Sequence, residues 1–303
     1  MNTQLPTRPL GNTGFNVSIM GYGCSGYWGY PWFDEAQAAQ LVHQALEAGI
    51  NYFDTGPEYS LGHAEARLGR ILQNVDKTNL LIASKVGTVR DGQKIRKDFS
   101  PATMRMQIEQ SLERLHLSQL PLLNLHSPKP EHFTPELFEA LAQFKKEGLI
   151  KWLGISAEGP SVPLATARDD VDVLMLPYNV IEQELETTLT AAKQQGFGLI
   201  IKGPLCRTLY SNRIFKIRGL QDIWYILRVL KSYRHQFIQG RKLSFINHVE
   251  GLENHAIALR FALHDAASCV VSSTTNPKNL IKNIEALQTD LPPELVARIK
   301  AAA

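Results

Sequence analysis

The 303-residue sequence predicts a single α/β domain with the architecture of a (β/α)8 barrel, and two observations support this prediction. Short apolar segments alternate with stretches of helical spacing along the chain, which indicates parallel strands joined by right-handed crossovers. Eight such units in about 250 residues match the size of a (β/α)8 barrel. The predicted strands are residues 19–23, 50–53, 80–84, 122–125, 152–155, 171–176, 199–201 and 269–271.

Segments with the sequence pattern of a helix lie between most of these strands. Asp34 precedes apolar residues at three- and four-residue spacing and Gly49 ends that stretch, so a first helix is predicted between them. The other predicted helices are residues 62–72, 103–115, 136–146, 182–195 and 277–287.

A doubly wound open sheet is the alternative architecture. It needs a glycine-rich turn between its first strand and first helix, and Gly21, Gly23 and Gly26 do have GxGxxG spacing. The aromatic-rich segment 27–32 follows where that helix should begin, so these glycines are predicted to form a loop.

Two segments lie outside the eight units. Residues 8–18, with a turn at 11–14, predict a hairpin that covers the bottom of the barrel. Residues 203–254, after the seventh strand, are far longer than a usual connection and are interpreted as an insertion. The insertion has nine Lys and Arg against three acidic residues, a charge of +6 that leaves −3 for the rest of the chain. A solvent-exposed surface segment with no binding role is the alternative interpretation of this basic insertion.

The composition argues against several classes of protein. A net charge of +3 is too balanced for a chain whose main partner is nucleic acid. The sequence contains no uninterrupted run of about 18 apolar residues, so no membrane span is predicted. The polar first residues do not resemble a secretion signal. Within residues 221–236, Lys231 interrupts the apolar side, which argues against a membrane-surface helix.

Three widely spaced cysteines indicate reduced thiols in a cytoplasmic protein, with no metal cluster.

Ionisable side chains follow the predicted strands at the end where barrel enzymes place their chemistry. Asp54, Lys85 and His126 each come directly after a buried strand, and Tyr59 follows Asp54 by five residues. A buried charge costs several kcal/mol unless it is paired, so Asp54 and Lys85 are expected to pair. A pair that only seals the barrel mouth is the structural alternative.

Tyr59 and His126 favour a catalytic interpretation of this group. A tyrosine has an ordinary pKa near 10, which makes it a weak acid at neutral pH. A cation beside it favours the phenolate, and a nearby imidazole can hydrogen-bond the same substrate oxygen. Together these residues form a proton donor suited to carbonyl reduction.

At these positions the sequence resembles the aldo-keto reductase family. The resemblance covers roughly residues 8–202 and 255–290. The matching segments are 51–60, 62–69, 83–85, 111–115, 123–128, 151–156 and 273–277, together with Asn283. The resemblance implies a barrel that binds NADPH, with NADH as the alternative nucleotide, and transfers a hydride to an aldehyde or ketone without a metal.

The resemblance also implies a role for each of the four residues. Tyr59 would be the general acid, and Lys85 would lower its pKa. Asp54 would hold Lys85, and His126 would orient the substrate carbonyl.

Residues that would bind the nucleotide follow from the same resemblance, with departures. The candidates are Ser156, Lys202, Gly203, Leu205, Arg207, Ser273, Thr274, Thr275, Asn279 and Asn283. Ala157 stands where the family usually has asparagine, Met175 near an expected glutamine, and Lys202 near an expected aromatic residue. Basic residues expected around the 2′-phosphate are also replaced, by Ser273 and Asn279.

Aromatic residues crowd the loop after the first strand. Tyr27, Trp28 and Trp32 are predicted to line the barrel mouth as a wall for an apolar or aromatic carbonyl substrate. Packing of the loop onto the barrel is the alternative.

The sequence therefore predicts a cytoplasmic NADP(H)-dependent carbonyl reductase or alcohol dehydrogenase that acts on small molecules. The rival prediction is a nucleotide-binding regulatory or redox-sensing barrel subunit with little turnover, because the nicotinamide contacts depart from the family pattern.

Overall fold

The computed structural model describes residues 4–92, 94–211, 226–227, 229, 231 and 233–302. The twelve described strands are β1 Thr7–Pro9, β2 Asn16–Ser18, β3 Met20–Gly23, β4 Tyr52–Asp54, β5 Leu81–Val86, β6 Thr88–Asp91, β7 Lys94–Lys97, β8 Leu120–His126, β9 Ile150–Ser156, β10 Val173–Pro177, β11 Gly198–Lys202 and β12 Cys269–Ser272.

Eight of these strands form a closed parallel barrel in the order β3, β4, β5, β8, β9, β10, β11, β12. Each pairs with the next barrel strand along the chain, and β12 pairs with β3 to close the ring. The eight predicted strands are confirmed. The open doubly wound sheet was the wrong alternative, and Gly26 begins a short 3-10 turn at the barrel mouth.

Helices cover the outside of the barrel. The described α-helices are α1 Glu35–Glu47, α2 His63–Ile71, α3 Pro101–Leu115, α4 Pro135–Lys146, α5 Ser161–Thr166, α6 Glu186–Gln194, α7 Arg234–Lys242, α8 Asn254–Ala262, α9 Pro277–Ala286 and α10 Pro293–Ala302. The first begins where predicted, because the Asp34 carboxylate accepts a hydrogen bond from the Gln37 backbone N–H at 2.7 Å. The six predicted helices are confirmed, whereas α5, α7, α8 and α10 were not predicted.

The interior of the barrel changes character from one end to the other. Alternate strand residues face inward, and near the amino ends these are apolar, including Tyr52, Leu122 and Ile200. Two residues further along the same strands, the inward positions become polar at Asp54 and Asn124. The alternation of inward-facing and outward-facing residues along each strand therefore places the ionisable side chains at the carboxyl end of the barrel.

The predicted N-terminal hairpin is present and closes the amino end. Strands β1 and β2 are antiparallel, and Leu10 and Val17 are fully buried in the apolar cluster at the bottom of the barrel. The Asn12 N–H donates to the Gly196 carbonyl at 2.8 Å. A Cβ at Gly11, whose φ is +55°, would lie 2.2 Å from the Gly198 nitrogen, so only glycine fits this approach.

A second hairpin, which was not predicted, projects from the carboxyl end. Strands β6 and β7 are antiparallel and follow directly after β5. Asp91 ends β6 and pairs with Lys94, and Gly92, with φ of 59°, follows in the turn, where a glycine is a common hairpin signal.

The basic insertion is more than an exposed excursion in its described part. It contains α7, and Leu243 and Ile246 that follow are fully buried. Gly240 of α7 packs closely on the Leu209 backbone. Much of the segment 221–236 lies outside the described residues. Of the helices that the structure describes, none is long and apolar enough to cross a membrane.

Candidate active site

Asp54 and Lys85 form a buried ion pair at the mouth of the barrel. The Lys85 ammonium donates to the Asp54 carboxylate at 2.6 Å and to the Thr55 carbonyl at 2.7 Å. Their side chains are only 9% and 2% exposed, respectively. The Tyr52 hydroxyl donates to the same carboxylate at 3.3 Å. The pair is thus hydrogen-bonded on both sides, as a buried ion pair requires.

Tyr59 lies against this pair and against His126. The Lys85 ammonium is 4.6 Å from the centre of the Tyr59 ring. The Tyr59 and His126 rings meet edge to face, with centres 6.0 Å apart and planes at 87°. The structure therefore brings together all four residues that the sequence placed at neighbouring strand ends.

The backbone after Tyr59 is strained. Ser60 and Leu61 have φ values of 52° and 61°, and Gly62 follows at 84°. Left-handed conformations cost non-glycine residues about 1–2 kcal/mol each, so the surroundings must hold this turn. The Ser60 hydroxyl does so by donating to the Gly26 carbonyl at 2.8 Å.

Burial and charge set the protonation states at the site. Burial raises the pKa of Tyr59 above its ordinary value, although the Lys85 charge and a Lys85 hydrogen bond act in the opposite direction. Burial tends to lower the pKa of Lys85, but Asp54 and Tyr59 outweigh it and the pKa is raised. Burial, followed by Lys85, Lys97 and Lys202, lowers the pKa of His126 to about 3.

These states refine the role expected for Lys85. The Lys85 charge acts to lower the pKa of Tyr59, as expected, but burial acts more strongly in the other direction and the pKa is raised overall. The phenol therefore remains protonated in the free protein. His126 is neutral at physiological pH and can act as a hydrogen-bond donor or acceptor, but not as a cation.

A chain of hydrogen bonds connects Lys97 to the Nδ1 atom of His126 through Thr88. The Lys97 ammonium donates to the Thr88 hydroxyl oxygen at 2.7 Å and to the His126 carbonyl at 2.6 Å. The Thr88 oxygen lies 3.1 Å from His126 Nδ1. Because Lys97 can only donate, the Thr88 hydroxyl keeps its own proton and can give it to Nδ1, which favours the tautomer with the imidazole proton on Nε2. Sequence reasoning missed Thr88 and Lys97 because it missed the β6–β7 hairpin.

We expect Thr88→Val to lower about tenfold the kcat of the carbonyl reduction predicted from the sequence, with a small effect on unfolding temperature, because valine keeps the shape but cannot orient His126. Steady-state kinetics and thermal unfolding measure the two effects. Thr88→Ser is the matched control and should keep most of the rate. Equal rates in the valine variant and the wild type would contradict the assigned tautomer.

Ser156 and Lys202 face each other at the ends of β9 and β11. The Lys202 ammonium donates to the Ser156 hydroxyl at 2.9 Å and pairs with the Glu158 carboxylate at 2.6 Å. Ser156 is in register with His126 on the neighbouring strand. Ala157 is fully buried and Met175 is 3% exposed, and neither side chain has an amide group to hydrogen-bond a ligand.

Residues 273–283 form a loop that leads into α9. Ser273 and Asn279 are exposed, and Thr274 and Thr275 are half-buried. The Asn276 side chain caps the helix by accepting from the Lys278 N–H at 2.9 Å. The buried Asn283 donates its amide to the Ser272 hydroxyl at 3.3 Å and so ties α9 to β12.

The segment after β11 has an unusual backbone. Gly203 has φ of 67°, and Cys206, Arg207 and Thr208 have φ of 46°, 52° and 59°. The Arg207 guanidinium lies 3.9 Å from the centre of the Tyr233 ring. Leu205, the other candidate of this segment, packs against the core.

The aromatic loop divides into exposed and buried members. Tyr27 and Trp32 are 61% and 65% exposed, and the centres of their rings lie 5.3 Å apart. Both rings are therefore available to a ligand. Trp28 is 1% exposed, meets Tyr22 edge to face and donates to the Ala38 carbonyl at 3.3 Å. The prediction that Trp28 lines the substrate site was therefore wrong, because its ring fills the layer between barrel and α1.

The fold and this group of residues define a class, the (β/α)8 barrel proteins with an ionisable cluster at the carboxyl ends of the strands. The chain belongs to the aldo/keto reductase family of oxidoreductases, whose family model matches residues 20–303. That family uses nicotinamide cofactors.

Individual relatives agree with this assignment. L-galactose dehydrogenase from Arabidopsis thaliana is 32% identical over 70% of this chain and 69% of its own length. D-threo-aldose 1-dehydrogenase from a Pseudomonas species is 26% identical, with 95% of each chain covered. The solved structure of a Bacillus halodurans aldo-keto reductase in its holo form shares the fold, with a TM-score of 0.81, 24% identity, and coverage of 99% of this chain and 97% of that one.

Proposed function

We propose that the protein reduces an aldehyde or ketone to an alcohol with NADPH, using Tyr59 as the proton donor. The observation that carries this proposal is the contact of one buried, protonated phenol with a paired ammonium on one side and a neutral imidazole on the other.

A nicotinamide nucleotide, when bound, supplies the hydride that adds to the carbonyl carbon. The Nε2–H of His126 orients the carbonyl oxygen, and Tyr59 gives that oxygen its proton. The resulting phenolate is stabilised by the Lys85 ammonium, whose own charge is held in place by Asp54. Because the same groups can take the proton back, the reaction also runs towards oxidation.

The residues at the mouth fit a dinucleotide. The N-terminal end of α9 and the hydroxyl-bearing loop before it are a common arrangement for a phosphate. We assign this phosphate-binding role to Ser273, Thr274, Thr275 and Asn279, with Asn283 holding the helix in position. Ser156 and Lys202 would contact the nicotinamide end, and the segment from Gly203 through Leu205 to Arg207 the pyrophosphate.

A regulatory barrel with little turnover is the second candidate. It is favoured by the hydrogen bond from Lys202 to Ser156, because this bond uses one lone pair of the hydroxyl that would otherwise serve the nucleotide alone.

Nucleotide titration followed by turnover distinguishes the two. NADPH and NADH affinities are measured by calorimetry, and NADPH oxidation is then followed with a panel of apolar, aromatic and sugar carbonyl compounds. Since two relatives are named as sugar dehydrogenases, L-galactose and a D-threo-aldose with NADP⁺ are included in the oxidation direction. Tight NADPH binding without turnover on any compound would favour the regulatory candidate.

We expect kcat/KM for reduction, which reports the titrating groups of the free protein, to be nearly constant from about pH 6 to pH 9. The pKa of His126, about 3, lies below this range, and the raised pKa of Tyr59 lies above its ordinary value of 10, so neither residue titrates within it. The rate should fall only at higher pH, where Tyr59 loses its proton. An inflection near pH 6.5 in the rate profile, absent from a His126→Gln variant, would contradict the neutral imidazole.

A further inference from the structure

Arg67 fixes the aromatic loop, residues 25–33, to helix α2. Its guanidinium donates to the Phe33 carbonyl at 2.8 Å and to the Trp28 carbonyl. It also pairs with the Glu35 carboxylate at 2.7 Å, and the Arg67 side chain is only 4% exposed. The backbone of the loop is therefore held in place at the barrel mouth.

Ser60 contacts this fixed loop directly after Tyr59 in the chain. The Ser60 side chain is buried, and its hydroxyl donates to the Gly26 carbonyl at 2.8 Å. A Cβ at Gly29 would lie 2.5 Å from the Ser60 hydroxyl oxygen, so the loop backbone also packs closely against this group. The turn that carries Tyr59 is thus joined to the aromatic loop at Ser60.

Serine is an unfavourable residue for the backbone at this position. Ser60 has φ of 52°, a left-handed conformation that glycine adopts without the steric penalty of a side chain. Glycine would therefore suit the turn better, but it has no hydroxyl to donate to the loop. What serine adds at this position is the hydrogen bond between the turn and the loop.

Resting on the function proposed above, we propose that Ser60 is a positioning residue for the proton donor: by joining the turn to the aromatic loop, it holds the Tyr59 hydroxyl where the substrate oxygen binds. The Tyr59 ring contacts the Lys85 ammonium and the His126 ring, so its place is closely defined. A displacement of about 1 Å at a reacting group can lower a rate about a hundredfold, so freedom at Ser60 affects the chemical step.

Ser60→Gly and Ser60→Ala separate the backbone from the hydroxyl. Both remove the hydrogen bond to Gly26, but glycine also removes the left-handed strain, which alanine retains. The unfolding temperature of Ser60→Gly should stay within about 3 °C of the wild type, and that of Ser60→Ala should be lower. The chemical step should nevertheless slow about tenfold or more in both variants. Because glycine leaves the turn freer, the more stable variant should be at least as slow as the less stable one.

Single-turnover reduction by the protein–NADPH complex measures the chemical step, with benzaldehyde or the panel compound that the wild type reduces fastest. The KM for the aldehyde and the calorimetric NADPH affinity should stay within about threefold of the wild type, because the lost interaction acts on the rate and not on binding. The fall of kcat/KM at high pH should also begin at a lower pH in Ser60→Gly. A less enclosed Tyr59 loses part of the burial that raises its pKa.

Ser268→Ala is the matched control. The buried Ser268 hydroxyl also donates to a backbone carbonyl, that of Pro9, at 2.9 Å, but it does so at the other end of the barrel. This variant should lower the unfolding temperature and leave the single-turnover rate and the pH profile unchanged.

The outcomes separate the two proposals. If the wild type is active and Ser60→Gly matches its single-turnover rate, Ser60 does not position Tyr59, while the reductase proposal stands. Rate losses that follow the unfolding temperatures of the variants, or an equal rate loss in Ser268→Ala, would give Ser60 a structural role only and also overturn the inference. If the wild type reduces no compound of the panel, the reductase proposal itself fails.

Discussion

We expect Tyr59→Phe to lower the kcat of carbonyl reduction by about 10²–10⁴-fold, the contribution of a positioned general acid. Phenylalanine keeps the ring that contacts Lys85 and His126 and removes only the hydroxyl. Nucleotide affinity should therefore change little, since the hydroxyl acts on the substrate oxygen. Single-turnover kinetics with NADPH measures the chemical step, and calorimetry measures the affinity.

Tyr178→Phe is a suitable control for the loss of a phenol. The Tyr178 hydroxyl donates to Glu186 at 3.3 Å, and its ring stacks on Phe261, away from the ion pair. Its kcat should stay within about twofold of the wild type. If Tyr59→Phe reduced aldehydes at a similar rate to this control, Tyr59 would not be the acid.

The second large effect is expected from Lys85→Met. The variant leaves the Asp54 carboxylate buried without its cation, and breaking a buried pair in this way costs about 3–5 kcal/mol of the free energy of unfolding. It also removes the charge that stabilises the Tyr59 phenolate, so kcat should fall strongly. Denaturant unfolding and turnover assays measure the two losses.

Asp54→Asn separates the structural loss from the catalytic one. An amide oxygen still accepts a hydrogen bond from the Lys85 ammonium, so the variant should lose less stability than Lys85→Met. Arg70→Met, which removes a cation from the exposed pair with Glu35, should change stability by less than about 1 kcal/mol. A fully active and fully stable Lys85→Met protein would show that the pair has neither role.

Most of the fold could be predicted because parallel barrel strands are buried on both faces. Each strand is then a short apolar run that a polar residue ends, as at Asp54 and His126. The same argument placed four ionisable residues at one end of the barrel. Their grouping required no knowledge of side-chain conformation.

What was missed depends on contacts between distant segments. The β6–β7 strands are mostly polar, so periodicity gave no sign that Thr88 and Lys97 return to His126. Trp28 looked like its exposed neighbours in sequence, and only the packing of its ring against Tyr22 shows that it belongs to the core. The balance between burial and charge at Tyr59 also depends on how deeply the ring is enclosed.

The hairpin at the bottom of the barrel has a consequence for the order of folding. Its contacts are among the most distant in the chain: the Arg8 guanidinium donates to the carbonyls of His264 and Ala267 at 3.1 and 2.7 Å. The Ser268 hydroxyl donates to the Pro9 carbonyl at 2.9 Å. During synthesis the hairpin leaves the ribosome before every barrel strand, yet these partners emerge only with the approach to β12. Closing so long a loop costs entropy before its contacts contribute any stability. The β1–β2 hairpin should therefore dock late in folding. Until then the apolar side chains of Leu10 and Val17 stay exposed to solvent.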